Sequence, residues 1–232
     1  MSTSQKTFTP RVILQMLLFI IVVPLLPLLI SWHWNWWEAW VYALVCILGF
    51  AASRALVARR YPDLIRERAR FLQHEDAKPW DKVLAPLVGL GGGLIPLVAG
   101  LDARFGGSAA FSLPVKIAAL LVILAGYALG AYALIENRFF SGMVRLQAER
   151  GQQVVSSGPY AWVRHPGYAG SLGVFLVTPL FLDSYWTFLP AIFLAVVLVI
   201  RTYLEDRTLQ EELEGYREYA GRVRYRLLPG VW

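Results

Sequence analysis

VILQMLLFIIVVPLLPLLIS, residues 12–31, decides what kind of chain this is. Lys6 and Arg11 precede it, as charges precede a secretory signal. The run is too long for a signal core, and the small-residue cleavage pattern is missing. WHWNWW follows at 32–37, an aromatic girdle suited to a lipid–water boundary. The run is therefore expected to remain as a membrane span, kinked at Pro24 and Pro27, which membrane helices tolerate when neighbours satisfy the freed carbonyls.

Working outward, further apolar runs occupy 36–58, 83–101, 115–135, 171–182 and 187–200. About 20 apolar residues cross a bilayer, so the chain is expected to be an all-α integral membrane protein with five to six transmembrane helices. Six is the preferred count, with the short fifth run either spanning or forming half of a tight hairpin. Charged residues are only 16 % of the chain and hydrophobic ones 57 %. With six spans, 20 of the 22 lysines and arginines fall in segments 1–11, 54–82, 138–170 and 201–232, leaving only Arg104 and Lys116 opposite. The positive-inside rule then places both termini in the cytoplasm. The net charge of +6 follows from this bias. It is no nucleic-acid footprint, which would need a basic face on a soluble domain. Cys46 is the single cysteine and His33, His74 and His165 lie on three different segments, so no metal site is expected.

The polar segments suggest two parts: residues 1–136, four spans with a basic connector at 59–82, and residues 137–232, a C-terminal region where polar residues gather beside membrane segments. In the connector, Leu64, Arg68, Phe71 and Leu72 share a mixed helical face, so the segment is expected to lie along the membrane surface, with its charge run a solvated face. Gly89/Gly93 and Gly126/Gly130 sit four apart inside spans, a spacing that lets helices approach closely. GLGGG at 89–93 lacks the strand and the Lys-Ser/Thr of a phosphate loop, so helix packing is its better reading.

Within the C-terminal region, GPYAWVRHPGYAG (158–170) concentrates turn-formers and polar rings between apolar runs. Gly158-Pro159 and His165-Pro166-Gly167 force two turns. Pro166 holds His165 extended and can open the next helix. Such a loop would present Tyr160, His165 and Tyr168 toward one place, with amides at the helix start facing it. That arrangement suits a flat, nucleoside-like ligand; the same residues would also make a structural turn with interfacial tyrosines. Arg201 and Glu205, four apart, share a helix face. They are either an interfacial ion pair or the charged wall of a cleft, and a short hairpin would return them to the loop.

VVSSGPYAWVRHPGYAG, followed by RTYLED and GYREYAGRVRYRLLPGVW, resembles the isoprenylcysteine carboxyl methyltransferase family over roughly residues 138–232. The resemblance implies S-adenosylmethionine as cofactor, held in a cytoplasmic C-terminal pocket with no Rossmann domain. Carried over by residue, it implies cofactor contacts from Gln147, Gln152, Gln153, Val154, Val155, Tyr160, His165, Pro166, Gly167, Tyr168 and Glu205. It places Arg201 toward the methyl acceptor, with Arg201 and Glu205 as the catalytic pair. The family often has histidine where Gln152 stands, and its Glu-Glu pair is Glu205-Asp206 here, so the acceptor can differ from prenylcysteine. A lipid-soluble acceptor entering between helices is expected, in a bacterial inner membrane. The competing readings are a nicotinamide-dependent reductase of the sterol-reductase type and a non-enzymatic carrier or scaffold.

Overall fold

A computed structural model describes residues 10–69 and 74–232, and among these every regular element is helical. Helix α1 (Pro10–Ser31) runs through both internal prolines. α2 (Trp37–Arg60) ends in a basic turn, and α3 (Pro62–Ala69) starts directly after Tyr61 with proline at its first position. α4 (Asp81–Gly91) and α5 (Leu94–Arg104) are one apolar stretch broken at Gly92 and Gly93. α6 (Leu113–Glu136) leads into a loop over 137–165, carrying 3-10 turns at Ala148–Arg150 and Gly158–Ala161. α7 (Pro166–Phe181) and α8 (Phe188–Glu212) form the expected hairpin, and α9 (Tyr216–Arg222) follows.

Among the described residues, four stretches are long and apolar enough to cross a membrane: Trp37–Arg60, Asp81–Arg104, Leu113–Glu136 and Phe188–Glu212. Each has 24 or 25 residues, or about 36 Å of helix at 1.5 Å per residue. Phe19–Ser31 and Pro166–Phe181 are apolar but shorter. The fifth run thus begins at Pro166, five residues earlier than its hydropathy suggests, because Pro166 opens the helix. The sixth extends twelve residues past its apolar run, and this extension carries Arg201, Glu205 and Asp206 out of the apolar layer on one continuous helix.

Trp32, Trp34, Trp37, Trp40, Tyr185 and Trp186 are exposed at one end of the bundle. Trp37 meets Phe181 edge-on at 5.9 Å, tying that end of α2 to the α7–α8 turn. Both cations assigned to that side have structural partners. Lys116 is sandwiched between Glu38 and Asp183, and Arg104 donates to the Ile30 carbonyl at 3.0 Å.

The glycine spacing succeeds at only part of its positions. A Cβ on Gly126 would lie 2.6 Å from the Gly170 carbonyl oxygen, so α6 and α7 touch backbone to backbone. Gly130 and Gly89, by contrast, face open space, while Gly93 and Gly91 make the close contacts of the α4–α5 break, against Val23 and Leu194. The partner of each glycine depends on how the helices rotate about their axes, which four-residue spacing leaves undefined. Gly170→Val should therefore force the α6–α7 pair apart and lower stability by about 1–3 kcal/mol or more. Gly130→Ala, with nothing within 4 Å of its new methyl, should leave the thermal midpoint in detergent unchanged or raised.

The connector departs most from expectation. Leu64 is fully buried, and the segment is clamped onto the 138–150 loop rather than lying solvated on the surface. Arg145 bonds Glu67, Asp76 and Glu149 at 2.7–3.0 Å, and Arg150 reaches Asp63 at 2.6 Å. Phe71 and Leu72 lie outside the described residues.

Candidate active site

The 137–165 loop, the start of α7 and the polar half of α8 enclose a cleft with about 800 Å³ of open space, its mouth included. Of the residues singled out from sequence, Gln147, Gln152, Gln153, Val154, Val155, Tyr160, His165, Gly167, Tyr168, Arg201 and Glu205 all line it. Pro166 does not: it is buried at the first position of α7, where it shapes the turn.

His165 has φ −127° and ψ 63°, outside the helical region that the following proline disfavours but short of the extended conformation expected. Its ring lies parallel to Tyr168, with centroids 5.7 Å apart. Its carbonyl accepts the amides of Tyr168 and Ala169, so those two amides are not open donors as anticipated. Tyr160 is packed with Ala133, Tyr216 and Tyr219, and Val154 and Val155 lie against that cluster. Burial pushes the Tyr160 phenol above its usual pKa, so it remains a neutral hydrogen-bonding group. Gln147 is engaged inside the loop: its amide nitrogen donates to the Phe139 carbonyl at 2.7 Å and its backbone N–H to Gln152 at 2.7 Å. It shapes the wall more than it offers groups to a ligand.

The charges pair differently from their sequence spacing. Arg201 does not bridge to Glu205. Its guanidinium grips Asp81 at the start of α4, at 2.7 and 3.0 Å, and the Gly142 carbonyl at 3.0 Å, with its face 5.1 Å from the Tyr168 ring centre. Asp81, fully buried, also accepts the Val144 N–H at 2.6 Å. Glu205 instead accepts the Tyr168 hydroxyl at 2.6 Å. Among the described residues no cationic nitrogen lies within 4.0 Å of Glu205.

Asp206, beside it, is fully buried and serves as a hub. Arg164 holds it at 2.6 and 2.9 Å, Arg226 at 2.8 Å, and His165 Nε2 lies 3.3 Å away. Burial opposes the Arg164 charge, but Asp206 outweighs it and raises that guanidinium's pKa. Arg164 also donates to the Val223 and Arg224 carbonyls, while its own N–H and that of His165 donate to Tyr225 and Arg226. The C-terminal segment is thus stitched to the Arg164-His165-Pro166 turn.

Sequence reasoning missed Asp81 and also Asn137, which lines the cleft and donates to the Tyr160 hydroxyl at 3.3 Å, and it treated Arg164 and Asp206 only as parts of motifs. For Asp81 a signal existed: a carboxylate opening an apolar span is costly unless paired. Nothing local named its partner.

Fold and helix lengths are those of an integral membrane protein, with a polar cleft at one end of its helices. The model of the isoprenylcysteine carboxyl methyltransferase (ICMT) family matches residues 117–211, so this segment is similar to that family. The chain is also similar to the uncharacterized protein YpbQ of Bacillus subtilis (strain 168), 44 % identical over 62 residues, covering 26 % of this chain and 37 % of that one. It is similar to the Delta(14)-sterol reductase TM7SF2 of Mus musculus, 30 % identical over 95 residues, covering 40 % and 23 %. The chain thus spans well under half the length of either relative.

Proposed function

We propose that the chain is a membrane methyltransferase, moving a methyl group from S-adenosylmethionine to the carboxylate of a lipophilic acceptor at the cytoplasmic face. The observation that carries this reading is Glu205, a carboxylate lining the cleft whose hydrogen-bond partner is the phenol of Tyr168 rather than a cation. Arg164, Arg226 and Arg201 neutralise Asp206 and Asp81, so Glu205 is left as the negative focus of an aromatic cleft. Such a site suits a ligand that is both cationic and ring-bearing. Gln152, Gln153, Val154, Val155, Tyr160, His165, Gly167, Tyr168 and Glu205 would hold it. Bound there, S-adenosylmethionine supplies a methyl group on a cationic sulfur, which passes to an acceptor oxygen while the C–S electron pair stays on sulfur.

The protein's own groups favour an acceptor that is already ionised. A general base must reach the proton that it takes. Here Glu205 already accepts from Tyr168, His165 Nε2 faces Asp206, and Tyr160 is a neutral phenol. A carboxylate needs no base, so positioning and water exclusion are the protein's main contributions. The cytoplasmic orientation rests on the placement of lysines and arginines.

Calorimetric titration of S-adenosylhomocysteine into the purified chain, with NADPH in parallel, tests the reading. Binding of the former alone supports it. Binding of NADPH alone would favour the reductase reading that the likeness to a sterol reductase raises. Glu205→Gln should weaken S-adenosylhomocysteine binding roughly tenfold, the scale of losing one charged hydrogen-bond acceptor. Undiminished affinity would remove Glu205 from the site.

A further inference from the structure

A second cavity, with about 810 Å³ of open space, lies between α2, α6 and α7. Its lining is glycine and apolar side chains, three hydroxyls and two arginines, Arg54 and Arg68. The hydroxyls are satisfied locally: Ser53 donates to Phe50, Ser171 to Gly167, and Tyr127 to the Cys46 sulfur. The arginines have no carboxylate. Among the described residues none lies within 4.0 Å of either, and the residues outside the description, 1–9 and 70–73, contain no aspartate or glutamate. Among the described residues Arg68 donates to the Phe140 and Ser141 carbonyls, at 3.1 and 3.3 Å. Arg54 rests on the Phe50 ring at 4.6 Å. Two cations facing one apolar space repel each other and are expensive beside lipid unless an anion joins them. Burial and the neighbouring Arg54 charge lower the Arg68 guanidinium to about 9, the direction that an intervening anion would reverse.

This cavity adjoins the cleft. Phe140 and Gly167 line both, and a Cβ on Gly167 would strike the Phe140 ring at 2.8 Å. Phe140 therefore borders both spaces, and Arg68 holds its backbone carbonyl.

Resting on the methyl-transfer reading, we propose that this cavity is the acceptor chamber, and that Arg54 and Arg68 grip the carboxylate head of a single-chain amphiphile whose tail lies between α2, α6 and α7. Both arginines stand outside the segment matched by the family model. Guanidinium forks match carboxylate geometry, which gives head-group selectivity in a cavity that is otherwise apolar. Methylation would neutralise the head and loosen both arginines, so the ester product should leave more readily than the acid enters.

The test uses the full chain in a neutral maltoside detergent, with tritiated dodecanoate and methyl dodecanoate as probes and S-adenosylhomocysteine titrated in parallel. Dodecanoate should bind about tenfold or more tighter than its ester, the scale of a charge-assisted hydrogen bond. Arg54→Gln should erase that preference with S-adenosylhomocysteine affinity kept, since Arg54 bonds no part of the cleft. Gly130→Leu, on a face with nothing within 4 Å, should fill the chamber and weaken both lipid probes without disturbing the helix. Equal binding of acid and ester, or undiminished dodecanoate affinity in either variant, would overturn the chamber while S-adenosylhomocysteine binding left the methyltransferase reading standing. Arginine-dependent dodecanoate binding with no S-adenosylhomocysteine binding would instead remove the methyl-transfer reading, and the acceptor role with it.

Discussion

Asp206→Ala is expected to unfold the cleft end of the protein, with a stability loss of about 3–5 kcal/mol. The residue is fully buried and accepts from Arg164, Arg226, Tyr216 and Gln210, with His165 beside it. Removing it leaves two guanidiniums without a counter-charge, one of them almost fully buried. The damage should spread, because Arg164 also anchors the Val223 and Arg224 carbonyls and so holds the C-terminal segment against the start of α7. Thermal unfolding in detergent should show a midpoint lower by roughly 10 °C, and S-adenosylhomocysteine affinity should fall with it. Asp206→Asn should be milder, keeping the shape and one acceptor while losing the charge. A midpoint shift under about 2 °C for the alanine variant would mean that the hub is dispensable.

The second large effect belongs to the Asp81–Arg201 pair, which joins α4, α8 and the 142–144 loop. Asp81→Ala leaves Arg201 buried and uncompensated, and a loss of about 3–5 kcal/mol is expected. The double variant Asp81→Leu/Arg201→Met removes both charges at similar volume, and such exchanges are often neutral or stabilising. It should regain the thermal midpoint. It should not regain methyl transfer from labelled S-adenosylmethionine into a lipid extract, because the cation that faces the Tyr168 ring and holds the Gly142 carbonyl is then gone. Recovery of both would reduce Arg201 to a packing role. Recovery of stability alone identifies it as the residue that positions Tyr168 and the loop.

These two hubs also mark where sequence reading stops. The loop was legible. Proline after His165, the paired turns and the rings at 160, 165 and 168 are local features whose backbone consequences are fixed within a few residues, and the structure brings all three rings to the cleft. Arg201 and Glu205 also reach the cleft, as the hairpin implied. Their mutual pairing was not legible correctly. Spacing by four makes a contact available on a helix surface, but a buried carboxylate from another helix outcompetes it where water is excluded. The connector misled for the same reason: its charges read as solvated, yet Glu67 and Asp63 are claimed by Arg145 and Arg150, 78 and 87 residues away.

By itself the sequence determined that the chain is helical and built for lipid, where its main spans run, and which short loop carries polar rings. All of these depend on hydropathy and backbone stereochemistry, which act between near neighbours. The tertiary structure decided which glycines touch, which carboxylate neutralises which arginine, and which charges are left, among the described residues, without a counter-charge. Glu205 and the Arg54–Arg68 pair are of that last kind. Their character comes from burial and from partners such as Asp81, 120 residues from Arg201, and such through-space terms exist only once the helices have packed.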